Sequence, residues 1–419
     1  MLLCKNRYCK CYLFVICLLF TDIIDFTGYI VIITASERMS YMAKKIKPGK
    51  NNKTKTIILT GGGSAGHVIP NLVLLPDLLS DGWDVHYIGS RGGIEASLAK
   101  REDVTYHAIE TGKLRRYFDI KNFTDPFRVV AGIFQSFFII AKIRPDVIFS
   151  KGGFVAVPVV LAGKLLGTPS VIHESDMTQG LANKICAPFS TRICLSFEKT
   201  QSTLSRNARI KAVFTGAPVR PELGGGIADE GYKLCGFDDK KPVLLIIGGS
   251  QGSESLNSII RTNLPELLKS WQIAHICGRG AVDASLANIK GYAQFEYAGA
   301  ELAHLYKISR AAVSRAGSNA IYELLNLKIP SVLIPLPLKS SRGDQILNAK
   351  EFERSGFCLK LDETEAKNEG VLIDILKKLN LEYSNFIEAM DSASIPDSKK
   401  FILKAIYEAA RVDNNNCIN

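Results

Sequence analysis

Residues 314–323, Ser-Arg-Ala-Gly-Ser-Asn-Ala-Ile-Tyr-Glu, combine the features of a phosphate site with those of a sugar site. They follow the short apolar run 311–313, so they predict the end of a buried strand and the start of a helix. A helix N-terminus has unpaired N–H groups and a partial positive charge, which suit a phosphate. Glu323, one turn further on, could accept hydrogen bonds from a ribose diol. The same pattern also fits a plain strand–turn–helix joint, with Ser318 as N-cap and Glu323 facing solvent.

Two glycine-rich turns could bring backbone N–H groups close to a phosphate or a sugar. Residues 61–67, Gly-Gly-Gly-Ser-Ala-Gly-His, lack the spacing of a dinucleotide fingerprint and end in His67 at a predicted helix start. A histidine beside an anion site is a candidate general base, although it could also be a helix residue with no role. In the second turn, residues 248–252, Ser250 could donate to a diphosphate, cap the next helix, or do both.

Other polar residues follow predicted strands or lie in a predicted linker. Arg220, in the linker 214–223, has a guanidinium that could fork onto two diphosphate oxygens, or it is a surface arginine. Gln345 follows a strand end and could bind sugar hydroxyls or cap a helix. The run His173-Glu174-Ser175-Asp176 matches no metal-site pattern, and the chain has no Asp-x-Asp triplet to predict a divalent ion. A diphosphate leaving group would then depend on Arg220, Ser250 and helix N-termini.

The elements that would position these residues alternate between strand and helix from residue 55 onward, which predicts an α/β fold with parallel sheets. The predicted strands are 56–60, 84–88, 146–149, 169–173, 242–247, 272–276, 294–296, 311–313 and 331–334. Ligands bind at the carboxyl ends of such strands, so two facing halves would enclose a cleft. We expect an N-terminal domain at 54–217, a C-terminal domain at 218–395, and a final segment at 396–419 whose helix packs back toward the N-terminal domain.

The bulk composition is that of an ordinary globular protein, with 47% hydrophobic and 22% charged residues among 419. The net charge of +11 is concentrated at the N-terminus, where residues 1–55 hold ten Lys and Arg against three acidic residues. We therefore expect no nucleic-acid partner. Four of the ten cysteines lie within residues 1–17 and the others are scattered singly, which fits a reducing compartment and predicts no metal site.

Residues 1–53 form an N-terminal extension for which two interpretations stay open. Its apolar runs 11–20 and 29–35 are interrupted by Asp22 and Asp25, so they do not predict a clean spanning helix. The extension is either a membrane-associating segment or lies upstream of the true start, at Met39 or Met42. It has no convincing cleavage site, so secretion is not predicted.

A predicted helix within residues 124–143 carries an unusually aromatic stripe. Phe127, Val130, Phe134 and Phe137 recur at helical spacing beside basic residues. Such a stripe usually faces a core. Aromatic residues flanked by basic ones are also the mixture expected of an interfacial helix on anionic lipid, so membrane contact is the alternative.

Taken in order, the motifs resemble the MurG family of bacterial glycosyltransferases over about residues 54–410. The matching motifs are the glycine turn with His67, His173-Glu174, Gly216-x-Pro218-Val219-Arg220, the turn 248–252, residues 314–323, and Gln345-x-x-Asn348-Ala349. Members add N-acetylglucosamine from UDP-N-acetylglucosamine to the lipid-linked muramyl-peptide precursor of peptidoglycan, with inversion of the anomeric centre. The resemblance implies the α/β GT-B fold, in which two Rossmann-like domains face each other across a cleft. The N-terminal domain would bind the acceptor and the C-terminal domain the UDP-sugar, with no cofactor and no metal.

The resemblance also implies roles for individual residues. On the donor side, Glu323 would bind the ribose, Arg220 and Ser250 the diphosphate, and Gln345 the N-acetylglucosamine hydroxyls. The nucleotide pocket would be completed by Ser318, Asn319, Ala320, Ile321 and Tyr322, and backbone near Ala298 or Gly299 would read the uracil. The other domain would reach the sugar and the acceptor with Ser64, Ala65, Gly66 and Asp176. His67 would be the catalytic base, with Glu174 orienting or assisting it.

The implied partners are UDP-N-acetylglucosamine and undecaprenyl-pyrophosphoryl-MurNAc-pentapeptide. The implied location is the cytoplasmic side of the cell membrane, with Phe127, Val130, Phe134 and Phe137 resting on the anionic surface. Asp176 departs from the asparagine that some members have. Two other hypotheses stay open: a UDP-sugar 2-epimerase of the same architecture, which needs no lipid acceptor, and a non-catalytic nucleotide-sugar-binding protein.

Overall fold

The N-terminal half forms a parallel sheet from apolar and β-branched runs such as Thr-Ile-Ile-Leu-Thr. The computed structural model describes residues 54–112, 121–249 and 252–411. The strands of this sheet are β1 (Thr56–Thr60), β2 (Asp84–Ser90), β3 (Thr105–Ile109), β4 (Val147–Ser150), β5 (Ser170–Glu174), β6 (Arg192–Leu195) and β7 (Ala212–Phe214). Their spatial order is β3-β2-β1-β4-β5-β6-β7, and every described pair is parallel.

The C-terminal half repeats this architecture in a second parallel sheet. Its strands are β8 (Val243–Ile247), β9 (Gln272–Ile276), β10 (Tyr292–Phe295), β11 (Ser309–Ser314), β12 (Ser331–Leu333) and β13 (Cys358–Lys360). Their order is β10-β9-β8-β11-β12-β13. All residues of β1, β4, β5, β8 and β9 are buried, as expected for strands that helices cover on both faces.

Helices connect the strands and cover both sheets. Those of the N-terminal half are α1 (Ala65–Leu72), α2 (Leu75–Ser80), α3 (Ile94–Arg101), α4 (Lys121–Ile143), α5 (Ala156–Leu165), α6 (Leu181–Cys186), α7 (Thr200–Thr203) and α8 (Arg206–Ile210). Those of the C-terminal half are α9 (Ala228–Cys235), α10 (Glu254–Thr262), α11 (Leu264–Ser270), α12 (Glu301–Ile308), α13 (Ser318–Asn326), α14 (Asp344–Arg354), α15 (Glu363–Ala366), α16 (Val371–Leu381), α17 (Tyr383–Asp391) and α18 (Ser398–Ala409). Two short 3-10 helices lie at Pro221–Gly225 and Ala284–Leu286.

The last helix, α18, packs on the N-terminal sheet rather than on the sheet that precedes it in the chain. Ile402 and Ile406 share a hydrophobic core with Ile57 of β1. The ring of Tyr407 stacks on Trp83, with 5.5 Å between ring centroids. The chain therefore returns from the C-terminal half to the N-terminal half in the last helix that the structure describes.

Each sheet reverses its strand order at one point, and both points lie beside the cleft. In the first sheet β1 lies between β2 and β4, with Thr60 in register with Ser150. In the second sheet β8 lies between β9 and β11, with Ile247 in register with Ser314. Loops that leave such neighbouring strand ends on opposite sides open a crevice, which is where ligands bind in open α/β sheets.

The two halves contact each other directly around this crevice. The Phe197 ring lies edge-on to Tyr322 and to Phe352, with centroids 5.4 Å and 5.9 Å apart. The Tyr322 hydroxyl donates to the carbonyl of Ser196. These contacts hold the strand ends of the two sheets face to face.

Helix α4 corrects one prediction about the aromatic stripe. Phe137 is 3% exposed and packs in the core with Ile58 and Ile148, so it does not offer its ring to a membrane. The outward positions are Phe127, 78% exposed, Phe134, 46% exposed, and Phe138, 65% exposed. Val130 is half-buried at the edge of this outward face. Among the helices in the described part of the chain, none is long and apolar enough to cross a bilayer.

Candidate active site

The N-terminal wall of the cleft is built from the loops after β1 and β4. Gly153 has a φ of +82°, and a Cβ there would lie 2.4 Å from the carbonyl oxygen of Gly62, so the two glycine-rich loops pack backbone against backbone. The buried carboxylate of Glu95 accepts from the Ser90 N–H at 2.9 Å and from the Gly63 N–H at 3.4 Å. Glu95 therefore stabilises the glycine-rich turn through these hydrogen bonds, a role that was not predicted from the sequence.

His67 enters the cleft from the first turn of α1 with its ring fixed. Its Nδ1 lies 3.0 Å from the carbonyl oxygen of Lys151. A carbonyl can only accept, so Nδ1 carries the proton and Nε2 keeps its lone pair. Burial, the Lys151 ammonium and the Arg342 guanidinium lower the pKa of His67 below 6.5, while the Lys151 carbonyl and Glu95 oppose this shift. His67 is thus neutral near pH 7 and can accept a proton at Nε2.

Glu174 does not orient His67, contrary to the expectation from the sequence. One oxygen accepts from the Asp176 N–H at 3.1 Å, and the other from the Gly180 N–H and the Asn183 side chain, both at 2.9 Å. The carboxylate is 4% exposed. Its hydrogen bonds fix the conformation of the loop 175–180 after β5. Glu174 therefore has a structural role in the wall of the cleft.

Asp176 lies on that loop and joins the two halves. Its side chain accepts from the Asn348 amide at 3.0 Å and from Arg342 at 3.4 Å, both in the C-terminal half. Burial, Glu174 and Asp344 raise the pKa of Asp176 to about 7, and Asn348 and Arg342 oppose this shift. The predicted residues Ser64, Ala65 and Gly66 line the same cleft.

The C-terminal wall presents the N-terminus of α13 to the cleft. The helix begins at Ser318 with Gly317 as its N-cap, so the prediction of Ser318 as N-cap is wrong by one residue. The Ser318 hydroxyl is buried and finds no hydrogen-bond partner among the described residues. No described side chain caps the helix either, which leaves its first N–H groups available to an anion.

Of the four residues that follow Ser318, two line the cleft and two pack in the core. Asn319 and Ala320 line the cleft, and the Asn319 amide donates to the Gly66 carbonyl of the facing wall at 3.1 Å. Ile321 and Tyr322 are 1% and 5% exposed and their side chains pack in the core between the halves. The prediction placed both residues in the nucleotide pocket, but the helix turns their side chains away from the cleft.

Glu323 lies in the cleft and is paired, not solvated. One oxygen accepts from Arg220 Nη2 at 3.1 Å and Nε at 3.3 Å, and the other from the Tyr306 hydroxyl at 3.0 Å. Burial raises the pKa of Glu323, and Arg220 and Tyr306 oppose this shift. The structure thus joins two predicted donor residues, and it adds Tyr306, which the sequence analysis missed.

The remaining predicted donor residues lie in or near the same wall. Gln345 Oε1 accepts from the Leu336 N–H at 3.1 Å, which leaves the amide NH₂ for another partner. Ala298 lines an apolar part of the cleft with Ile247 and Leu302, whereas the Gly299 N–H is bonded to Glu301 at 3.0 Å. Ser250 lies outside the described residues.

The helix after the turn 248–252 is capped by Ser253, whose hydroxyl accepts from the Leu256 N–H. Arg315, which was not predicted as a site residue, stabilises the start of α10 by hydrogen bonds. It is 4% exposed and donates to the hydroxyls of Ser253 and Ser255, both at 2.7 Å, and to Glu363 at 2.6 Å. The turn after β8 is thereby tied to the end of β11.

Together the two walls enclose a cleft of about 340 Å³. His67 lies on one wall, and the open N-terminus of α13 with the Arg220–Glu323 pair lies on the other. Two facing Rossmann-like domains with this site between them define a GT-B glycosyltransferase fold.

Comparison with known proteins specifies the family. The glycosyltransferase family 28 N-terminal domain matches residues 57–195, and the glycosyltransferase family 28 C-terminal domain matches residues 243–407. The chain belongs to glycosyltransferase family 28, among the UDP-N-acetylglucosamine–N-acetylmuramyl-(pentapeptide) pyrophosphoryl-undecaprenol N-acetylglucosamine transferases.

Curated relatives from several organisms carry that name. The protein from Clostridium botulinum (strain Langeland) is 51% identical over 355 residues, which cover 84% of this chain and 98% of the relative. The protein from Geobacillus kaustophilus is 51% identical over 359 residues, covering 85% and 99%. The crystal structure of Acinetobacter baumannii MurG matches with a TM-score of 0.66 at 23% identity, over 85% of this chain and all of that one, and supports the fold.

Proposed function

We propose that this chain transfers N-acetylglucosamine from UDP-N-acetylglucosamine to an N-acetylmuramyl-(pentapeptide) pyrophosphoryl-undecaprenol, the reaction for which its relatives are named. One observation carries the proposal in this structure: the cleft sets a neutral histidine of fixed tautomer opposite an open helix N-terminus. The first is suited to activate a hydroxyl, and the second to hold a diphosphate leaving group.

The C-terminal wall would bind the donor. The N–H groups at the start of α13 and the Ser318 hydroxyl would donate to the diphosphate, and Arg220 would fork onto its oxygens. Glu323, held in the free protein by Arg220 and Tyr306, would accept from the ribose diol when Arg220 turns to the diphosphate. The free NH₂ of Gln345 would donate to a sugar hydroxyl.

The N-terminal wall would supply the chemistry. Nε2 of His67 would take the proton of the acceptor hydroxyl as its oxygen attacks the anomeric carbon. The new carbon–oxygen bond forms as the bond to the diphosphate breaks, and the electron pair leaves with UDP. Since the attack comes from the face opposite the leaving group, one displacement inverts the anomeric centre. The helix N-terminus and Arg220 would stabilise the charge that develops on the diphosphate.

We further propose that the enzyme works at the cytoplasmic surface of the cell membrane. The support is the outward face of α4, where Phe127, Phe134 and Phe138 are exposed beside Arg128. An aromatic and basic face of this kind suits an anionic lipid surface. A lipid-linked acceptor could then reach the cleft without leaving the membrane.

The experiment uses labelled UDP-N-acetylglucosamine with and without the lipid-linked acceptor. Transfer is expected only with the acceptor, and His67→Ala should lower kcat by about 10²–10⁴-fold with donor affinity retained. His107→Ala, on the outer strand β3, is the matched control and should keep wild-type turnover. A free epimer formed without acceptor would make the chain a 2-epimerase, and full activity of His67→Ala would remove His67 as the base.

A further inference from the structure

Three hydrogen bonds, connected through His173 and Lys151, join the linker between the halves to His67. The carbonyl of Gly216 lies 3.1 Å from Nε2 of His173, and Nδ1 of His173 lies 2.6 Å from the ammonium of Lys151. The carbonyl of Lys151 then lies 3.0 Å from Nδ1 of His67. Lys151 and His173 are both 0% exposed.

The direction of each bond follows from which partners can donate. The Gly216 carbonyl can only accept, so His173 carries its proton on Nε2 and offers the lone pair of Nδ1 to the Lys151 ammonium. Burial and the adjacent ammonium hold the pKa of His173 well below 6.5, so the ring remains neutral. The ammonium of Lys151 is thereby anchored to His173 in β5, while the carbonyl of the same residue contacts His67.

The complete burial of Lys151 requires an explanation, because removing an ammonium from water costs free energy. Burial lowers the pKa of Lys151 to about 7, and the carboxylates of Glu174 and Asp176 oppose this shift. Lys151 is therefore mostly charged below pH 7, the range in which His67 would take up a proton.

We propose that Lys151 is a positioning residue for the transfer, whose carbonyl fixes the tautomer of His67 and whose buried ammonium opposes protonation of that ring. The backbone contact turns Nε2 toward the cleft. Repulsion between the Lys151 ammonium and a protonated His67 ring would disfavour that protonated form, which keeps Nε2 free to accept the acceptor's proton. This inference rests on the proposed role of His67 as base.

Other charged groups act on the same two residues, and the test must hold them constant. In the described part of the chain, the groups that act on His67 are Lys151, Arg342 and Glu95, and the cleft around it is lined by Asp176, Arg220, Glu296, Glu323 and Asp344. The groups that act on Lys151 are His173, Glu174, Asp176 and Cys194.

Lys151→Met removes the ammonium and keeps both the carbonyl and the length of the side chain. The first measurement is the pKa of His67 by NMR in the ligand-free protein, with His67→Gln to assign the signal. We expect the pKa of His67 to rise by about one pH unit in Lys151→Met. Lys164→Met, which removes an exposed lysine of α5, is the charge-matched control and should leave it unchanged.

The second measurement is the pH profile of kcat/KM with donor and lipid-linked acceptor. The acidic limb of Lys151→Met should move up with the pKa of His67, giving up to about a tenfold loss at the acidic end of the profile, where the ring is protonated in both proteins. The loss should fade above pH 8, because the ring of His67 is then neutral in the variant as well as in the wild type. Lys151→Gln, also neutral, makes the same test if the methionine variant does not fold.

An unchanged pKa of His67 in both neutral variants would overturn the proposal. A loss of activity that is uniform from pH 5 to pH 9 would also overturn it, because it would indicate a structural role alone. Wild-type protein that transfers no sugar at any pH would instead refute the proposed function, whereas the NMR result for Lys151 would still stand.

Discussion

The exposed aromatic face of α4 gives a quantitative prediction for membrane binding. Phe127 is 78% exposed, and a phenylalanine buries about 200 Å² when fully covered. At about 25 cal/mol per Å², covering the exposed part would stabilise binding by at most about 4 kcal/mol. A ring that enters only the headgroup boundary would realise about half of this, so Phe127→Ser should weaken binding by about 30-fold.

The assay is sedimentation of the full chain with phospholipid vesicles, some zwitterionic and some containing anionic lipid. Binding should be stronger on the anionic vesicles, because each basic residue near the surface contributes about 1 kcal/mol. Leu381→Ser is the matched control, since Leu381 is 87% exposed but lies on α16 of the C-terminal half. Phe127→Ser should also lower turnover of a vesicle-embedded acceptor while leaving turnover of a short-chain soluble acceptor unchanged.

Two results would refute this reasoning. If Phe127→Ser bound vesicles as tightly as the wild type, the outward face of α4 would not be the membrane contact. If Leu381→Ser lost as much affinity, the effect would come from general hydrophobicity rather than from this face. Phe137→Ser is not a useful probe, because Phe137 lies in the core and its substitution would destabilise the fold.

Three further predictions concern the cleft. Ser318→Ala should weaken UDP binding in calorimetry by about 3–10-fold, with thermal stability retained because the described structure gives this hydroxyl no partner to lose; a fall in stability with unchanged affinity would contradict it. Arg315→Met should lower the free energy of unfolding in urea by about 1.5–3 kcal/mol, because Glu363 loses its buried guanidinium partner and keeps only Ser255 and Lys367. Arg315→Met/Glu363→Met should recover part of the loss, and equal stability of the single variant and the wild type would count against a stabilising role of this ion pair. Asp176→Asn should raise the midpoint of thermal unfolding at pH 8 but not at pH 4: the folded pKa of Asp176, about 7, exceeds its ordinary 3.8, so ionisation costs stability progressively between these values and fully above pH 7. Asp229→Asn, an exposed substitution, is the control, and an equal gain for Asp176→Asn at both pH values would argue against ionisation as the cause.

The sequence predicted those parts of the fold in which the local pattern determines the structure. Long apolar runs such as β1 and β9 were placed at their observed bounds, because strands buried on both faces are continuous in hydrophobicity. The strands β3, β6, β7 and β13 were missed. β3 lies at the edge of its sheet with mixed burial, and the other three have only three or four residues, so none of them has enough apolar pattern to be recognised.

The same limit explains the errors at individual residues. Helical spacing shows that Phe134 and Phe137 lie on similar sides of α4, but it does not show where the core ends, and Phe137 proves to lie inside it. In α13, Ile321 and Tyr322 follow cleft-lining residues in the chain but point into the core. Which face of a helix is covered depends on its tertiary neighbours, which the sequence alone does not reveal.

His67, the proposed base, shows why motifs predict a binding site more readily than its chemistry. The proposed donor wall is largely local, since Ser318 and Glu323 lie within a single helix whose start the sequence predicts. The environment of His67 is assembled from the ends of three strands: the ring follows β1, the carbonyl that fixes it follows β4, and the histidine that anchors Lys151 lies in β5. These residues are separated by 84 and 22 positions in the chain. Parallel pairing of β1, β4 and β5 brings them together, so the tautomer and the charge state of His67 are properties of the sheet rather than of the glycine-rich motif that carries the residue.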